Sequence, residues 1–281
     1  PPETRCGPVR RYDPAMISRL PGLSLPELAW GVVRRWALAW WRILYLGAVV
    51  CVLVLSPSSY GKVTRRALAR HLYLDTAPVL LGFTVLAALI SLVLTRIVIV
   101  TAISYGLSRY ALEMVIRVLV LELIPLTAAL FVAMRCTIPN GTQLALLRQS
   151  GHLARLSHAG ADPIRVELLP RAVAGVFACI TLAALSCVVA LVLAYLGVYG
   201  FSLAGLPSYT RMFGHVFAPA VTLVFVIKTV LFSLAVALIP MAAGLYDTGE
   251  RTQPDSELGG LARMFAVLLL IEIGSLVGNY Y

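Results

Sequence analysis

Charged residues are scarce in this chain. Aspartate, glutamate, lysine and arginine together make up 13% of its 281 residues, and 60% of the residues are apolar, whereas a soluble domain has about 25% charged residues. The charges cluster, and the stretches between them are apolar, which is typical of a polytopic membrane protein. The alternation of a barrel strand is absent, so the spans are expected to be helices that satisfy their own backbone groups.

Motifs for nucleotide hydrolysis and for hydrolytic catalysis are missing from the sequence. It contains no GxxxxGK[ST], HExxH or GxSxG pattern, so neither a nucleotide-hydrolysing loop nor a visible nucleophile is present. The five cysteines form no CxxC pair and the four histidines show no metal-ligand spacing, which favours buried thiols over a disulfide framework or a metal site. We therefore predict a chain that is not an enzyme and has no cofactor of its own.

Tryptophan and arginine concentrate near the beginning of the chain. All four tryptophans lie within residues 29–42, beside three arginines. Tryptophan rings prefer the headgroup level of a membrane, so residues 29–55 are predicted to form an interfacial or re-entrant helix. An irregular cytoplasmic lead is expected over residues 1–28. The alternative is a full, tilted span over residues 36–56.

Five apolar segments follow, and the loops between them differ in charge. The basic segments 62–71 and 136–171 belong in the cytoplasm by the positive-inside rule, and the weakly basic segments 104–114 and 203–212 belong outside. Segment 247–258 is neutral to acidic, but it must lie inside by alternation. The prediction is an all-α membrane protein with five transmembrane helices, an N-terminal interfacial (elbow) helix, a cytoplasmic N-terminus and an external C-terminus. The spans are expected at about residues 77–103, 115–135, 172–202, 213–246 and 261–281.

Three ionisable residues fall within these apolar spans, namely Glu122, Lys228 and Glu272. Each costs about 2.5–3.5 kcal/mol at the centre of a membrane helix, so such a residue normally has a partner or a polar cavity. One base and two acids favour pairing of Lys228 with Glu272 or Glu122. The pairing could be a structural contact between helices or the polar lining of a substrate path, and both interpretations stay open.

Proline and glycine inside the spans bear on helix packing. Pro125, Pro219 and Pro240 are expected to kink or break their helices, which favours a bundle with a cavity. Gly274 and Gly278 form a GxxxG motif that could be a dimer contact, although this motif is common by chance in apolar sequence.

Several of these residues recur in one known pattern. The stretch 122–135, followed by Asp162-Pro163-Ile164-Arg165 and Leu169-Pro170-Arg171, resembles the MlaE/YrbE family, whose members are permease subunits of ABC transporters that work with MCE-domain proteins. The resemblance covers about residues 76–281. Lys228, Gly244 and Glu272 also fall where the family has lysine, glycine and an acid.

The resemblance implies a short cytoplasmic coupling helix within residues 139–165, between the second and third spans, that docks into a groove of an ATPase. A docking helix between two spans acts as a lever. Arginine side chains could supply complementary charge for docking, or they could only fix topology. The expected coupling residues are Arg148, His152, Arg155, His158, Asp162 and Arg165.

The sequence also departs from the family pattern. Leu121 and Ile124 replace the arginine and glycine around Glu122. The acids of the coupling helix are replaced at Gln143, Gly151, Ala154 and Ser157. These changes predict either a specialised ATPase with a more acidic groove or one non-equivalent half of a heterodimer.

The resemblance implies a permease subunit of an ATP-driven transporter for phospholipid or another hydrophobic cargo in a bacterial inner membrane. Its expected partners are an ABC ATPase subunit that holds ATP–Mg, an MCE-domain protein and a second permease copy. The net charge of +10 is explained by cytoplasmic loops, so no nucleic-acid partner is expected. An ion- or solute-coupled carrier or channel is the main alternative, and an assembly scaffold is a weaker one.

Overall fold

The computed structural model describes residues 25–56, 61–106, 108–246 and 255–280, and every regular element within these residues is helical. Within these described ranges, six helical stretches are long and apolar enough to cross a membrane. The all-α membrane class expected from the sequence is therefore confirmed. These stretches are Trp36–Leu55, Thr64–Ser104, Leu112–Gln149, Ile164–Tyr199, Pro219–Tyr246 and Gly259–Asn279.

The first helix bears on the number of spans. Helix α1 runs over Leu25–Leu55 as one helix of 31 residues, and its part Trp36–Leu55 is 20 residues long. This length is sufficient for a sixth crossing, so the count of five spans with an interfacial helix stays a prediction. Residues 1–24 of the expected lead lie outside the described residues.

The chain divides into two compact units, Pro1–Arg42 and Ile43–Tyr281. The packing described below belongs to the second unit. Its α-helices are α2 (Lys62–Ser104), α3 (Ser108–Val115), α4 (Ile124–Val132), α5 (Ile138–Gln149), α6 (His152–His158), α7 (Leu169–Tyr199), α8 (Leu206–Val216), α9 (Pro219–Tyr246) and α10 (Asp255–Tyr280).

Two of these bounds differ from the sequence-based expectation. Residues 62–71, expected in a loop, form the first turns of α2. Residues 213–216, expected in a span, belong to α8, because Pro219 begins α9. Pro219 therefore does not kink a span; proline suits the first helical position, where its missing N–H has no partner to lose.

Prolines widen the helices locally instead of ending them. Each of three π-helical segments is followed by an α-helix with proline as its second residue. A proline has no N–H for the carbonyl four residues earlier and its ring clashes with it, so the preceding turn opens to the wider π geometry. The segments are Ile116–Leu123 before Pro125, Ala133–Thr137 before Pro139 and Ile164–Leu168 before Pro170.

Helix α9 packs against α5, α7 and α10, and its contact with α5 is very close. A Cβ atom on Gly141 of α5 would lie 2.6 Å from the carbonyl oxygen of Pro240 on α9. A Cβ atom on Gly244 would overlap the carbonyl oxygen of Gly141. Small residues permit this approach of two backbones. By contrast, a Cβ atom on Gly274 would meet open space, so that glycine makes no such crossing within this chain.

Candidate functional site

The π-helical segment Ile116–Leu123 carries Glu122 into the bundle. Pro125 cannot donate a hydrogen bond to the carbonyl of Leu121, four residues earlier. That carbonyl oxygen instead accepts a hydrogen bond from Lys228 Nζ on α9 at 3.3 Å. The local sequence thus places a carboxylate and a backbone acceptor side by side, both aimed at the same lysine.

Lys228 is the centre of the site. Its side chain is 1% exposed, and its Nζ atom pairs with Glu122 Oε2 and lies 2.9 Å from Glu272 Oε2. Together with the Leu121 carbonyl, the surroundings offer three oxygens to the three N–H groups of an ammonium ion. The Phe232 ring lies 5.7 Å from Nζ, within the range of a cation–π contact. The lysine is therefore buried against two hydrogen-bond acceptors, a second carboxylate and an aromatic ring.

Helix α10 contributes a polar stripe to this site. Glu272, Ser275 and Asn279 are spaced so that they share one face of the helix. Asn279 Nδ2 donates a hydrogen bond to Glu122 Oε1 at 3.4 Å. Ser275 Oγ and Asn279 Oδ1 are buried and have no hydrogen-bond partner among the residues that the structure describes. We call Glu122, Lys228, Glu272, Ser275 and Asn279 the Lys228 cluster.

The Lys228 cluster lies in apolar surroundings. Leu119, Val120 and Ile124, close to Glu122 in the chain, belong to a buried hydrophobic cluster. Electrostatic contacts are stronger in such a medium, and an unpaired charge there is costly. The structure brings together the three ionisable residues singled out in the sequence, each from a different span. The contacts tie α9 and α10 to the segment that precedes α4, whereas a role in a lipid path stays a prediction.

Two of the expected coupling residues, Arg148 and the partly exposed His152, contact neighbouring helices. Arg148 Nη1, at the end of α5, donates a hydrogen bond of 2.6 Å to the carbonyl oxygen of Leu245. His152 Nε2, at the start of α6, lies 3.7 Å from Glu167 Oε1. These two side chains connect the coupling segment to the end of α9 and to the π-helical segment that precedes α7. Their contacts within the chain indicate a structural role.

The other four expected coupling residues are exposed. Asp162 Oδ2 lies 3.4 Å from Arg165 Nε, and both side chains are 46% exposed. Asp162 Oδ1 also accepts a hydrogen bond from the Ile164 N–H at 3.0 Å. Arg155 and His158 lie on the exposed side of α6. We call Arg155, His158 and Arg165 the basic outer face.

The expected coupling segment 139–165 contains two helices, not one. Helix α5 continues directly from the span that carries Glu122, and α6 follows after a turn at Gly151. Gly151 has a φ of 71°, a left-handed conformation that favours glycine. A residue with a side chain would be strained at this position.

Sequence reasoning missed the ion pair at the start of α7. Arg171 Nη1 lies 2.7 Å from Glu167 Oε2, and the arginine side chain is 8% exposed. Because Glu167 also faces His152, one carboxylate links the start of α6 to the first turn of α7. The i, i+4 spacing of Glu167 and Arg171 was the available signal, but it does not reveal that the pair is buried.

A second missed contact joins α2 to α5. Asn140 Nδ2 donates a hydrogen bond of 3.0 Å to Asp75 Oδ2. Asn140 is 5% exposed, so its amide needs such a partner. Asn140 belongs to a glycosylation-like pattern in the sequence, and its burial is the physical reason that the pattern carries no information here. Among the described residues, no group of three or more His, Cys, Asp or Glu side chains could hold a metal ion.

One comparison with known proteins gives a family match. Residues 68–276 match the protein family described as Permease MlaE. The matched range includes the three ionisable residues of the Lys228 cluster and the whole of α5, α6 and α7. A comparison with curated proteins gives no match.

Proposed function

Because the chain belongs to the MlaE permease family, we propose that this membrane permease moves lipid, namely phospholipid, as part of an ATP-driven transporter. The proposed complex has an ABC ATPase subunit on the cytoplasmic side, where ATP–Mg is bound and hydrolysed, and an MCE-domain protein on the opposite side. A second permease subunit completes it, in a bacterial inner membrane with the N-terminus of this chain in the cytoplasm.

The observation that carries the proposal is the position of α6. It follows a continuous helical run, α3 to α5, that also contains Glu122. Its exposed side carries Arg155 and His158, while His152 in its first turn contacts Glu167, which pairs with Arg171 of α7. A force applied to the basic outer face therefore reaches two spans through packed helices, as a rigid-body coupling requires.

The second support is the Lys228 cluster. In this cluster, ion pairs of Lys228 connect α9 to α10 and to the helical segment that contains Glu122. A displacement of α5 is passed to α9 through the close contact of Gly141 with Gly244. Movement of α6 can in this way open or close the bundle beside the cluster, which is the change that passage of a lipid headgroup needs.

The docking role is tested by charge reversal on the basic outer face. In a purified complex, Arg155→Glu with Arg165→Glu should weaken binding of the ATPase subunit by about tenfold or more, because reversed charges repel an acidic groove. The matched control is Arg65→Glu with Arg66→Glu, two exposed arginines on α2, which should leave binding unchanged. Unaltered complex formation by the Arg155→Glu, Arg165→Glu variant would contradict a docking role for the basic outer face.

The transport role is tested with the complex in vesicles. ATP should drive transfer of labelled phospholipid, and a variant of the ATPase subunit that cannot hydrolyse ATP should stop it. Transfer driven by an ion gradient without ATP would contradict the proposal and favour a secondary carrier.

A further inference from the structure

The charges in the Lys228 cluster do not balance. Two carboxylates surround one ammonium group, so full ionisation would leave one net negative charge. The side chains of Glu122, Lys228 and Glu272 are 13%, 1% and 15% exposed. Among the described residues, Lys228 is the only cation paired with either carboxylate. An uncompensated charge in these surroundings is strongly disfavoured.

We propose that the Lys228 cluster binds one proton, and that Glu272 carries it in the resting protein. The bound proton makes the cluster neutral. Two carboxylates that share one site resist simultaneous ionisation, so the proton is expected to stay on one of them.

The contacts of the two carboxylates differ. Glu122 receives Lys228 Nζ on one oxygen and the Asn279 amide, at 3.4 Å, on the other. Glu272 Oε2 lies 2.9 Å from Lys228 Nζ, but it has no hydrogen-bond partner among the described residues. Donors stabilise the ionised form of a carboxyl group. Glu122 is therefore better stabilised as the anion, and Glu272 is the carboxyl that remains protonated.

The cluster also contains acceptors for the added O–H group. Ser275 Oγ and Asn279 Oδ1 are buried without a hydrogen-bond partner, and Ser275 is 6% exposed. Both lie on the face of α10 that carries Glu272. A protonated carboxyl has one O–H donor, which gives the Asn279 amide oxygen a partner that an ionised Glu272 cannot supply. The Ser275 hydroxyl is both a donor and an acceptor, so it can pair with either form of Glu272.

One consequence rests on the proposed transport function. If transport separates α9 from α10, Glu272 loses the apolar surroundings that keep its proton, and it releases the proton when water enters. The same proton returns when the bundle closes. The resting proton itself does not depend on this cycle.

Infrared spectroscopy of the full chain in lipid nanodiscs tests the proposal. A protonated carboxyl has a C=O stretching band that is separate from the carboxylate bands and shifts in D2O. We expect the wild-type protein to show one such band at neutral pH and Glu272→Gln to lose it. Glu122→Gln should lose it too, because the remaining carboxylate then balances Lys228 without a proton. Lys228→Met should increase the band, since both carboxyls become protonated.

The matched control is Glu113→Gln, which removes a carboxyl whose ion pair with Arg117 has an N–O distance of 3.1 Å and side chains that are 27% exposed. It should keep the wild-type band. Identical wild-type and Glu272→Gln spectra would overturn the proposal, and a band retained in Glu122→Gln would overturn the charge-balance argument.

If a variant fails to fold, the wild-type protein alone still tests the proposal. Its protonated-carboxyl band must disappear as the pH is raised and return when the pH is lowered. A wild-type sample without the band at neutral pH overturns the proposal. The measurement needs neither an ATPase nor a lipid cargo, so its failure and a failure of ATP-driven lipid transfer are separate results.

Discussion

Gly141 and Gly244 face each other where α5 crosses α9, with no room for a side chain between them. A Cβ atom on Gly244 would overlap the carbonyl oxygen of Gly141. Because α5 leads to α6 and α9 carries Lys228, this backbone contact is a second mechanical connection between the basic outer face and the Lys228 cluster, beside the helical run that contains Glu122.

Replacing Gly244 with alanine should separate the two helices. Forced repacking of this kind typically costs about 1–3 kcal/mol, so Gly244→Ala is expected to unfold at a lower temperature in detergent. Gly274→Ala is the matched control, because a Cβ atom there meets open space and alanine is favoured over glycine in a helix by up to about 1 kcal/mol. Equal thermal stability of the two variants would show that the crossing is not close.

Removing the cation of the Lys228 cluster should be costly. Lys228→Met leaves two carboxyl groups facing each other in an apolar site. Removing one partner of a buried ion pair lowers the free energy of unfolding by about 3–5 kcal/mol. We expect a lower unfolding temperature and impaired ATP-driven lipid transfer. Arg66→Met, an exposed change on α2, should have little effect on either measurement. Full lipid transfer by Lys228→Met in vesicles would dismiss a role for the lysine in transport.

Arg148 and Arg155 should respond differently to truncation. Arg148 donates to the Leu245 carbonyl, so Arg148→Ala removes a hydrogen bond made by a charged donor, worth about 1.5–3 kcal/mol. Arg155 is exposed, and its Nη2 atom lies 3.3 Å from the Ser150 carbonyl oxygen, so Arg155→Ala should leave stability nearly unchanged while weakening ATPase binding. Chemical unfolding and a binding assay on the same two samples separate these effects, and the reverse pattern would refute the assignment of inward and outward sides.

Glu167 should control the mobility of α6. Glu167→Gln keeps the shape of the side chain but removes the charge that faces the buried Arg171 and His152. Backbone amides of residues 152–158 should then exchange with solvent faster, because α6 loses its link to α7. Asp162→Asn is the control: its pair with Arg165 is exposed and worth about 0.2–1 kcal/mol. Unchanged exchange in Glu167→Gln would show that the anchor is unimportant.

Much of the fold followed from composition and from the distribution of charge. Scarce charges between long apolar stretches predicted a helical membrane protein, and the structure confirms this class. The boundaries were less accurate around Pro219, because the apolar character of residues 213–216 continues from α8 into α9 and only the proline marks the break. The nature of α1 stays open for a physical reason: a helix with arginines at one end and an apolar other half suits an interface and a span equally well.

The candidate site was only partly predictable. The cost of placing a charge inside a membrane helix identified Glu122, Lys228 and Glu272 as candidate site residues. A single sequence contains no pattern that shows which helices are neighbours. Ser275 and Asn279 could have been found from their helical spacing relative to Glu272, since all three share a face. The inward direction of Arg148 could not, because it depends on where α9 ends.

The missing amide hydrogen of Pro125 has a long-range effect. Any other residue at this position would supply an N–H group that competes with the Lys228 ammonium for the Leu121 carbonyl oxygen. The widened turn could then tighten to ordinary α geometry, and the Glu122 carboxylate would rotate about the helix axis. Pro125 thus keeps the Glu122 carboxylate in the position in which it pairs with the Lys228 ammonium group.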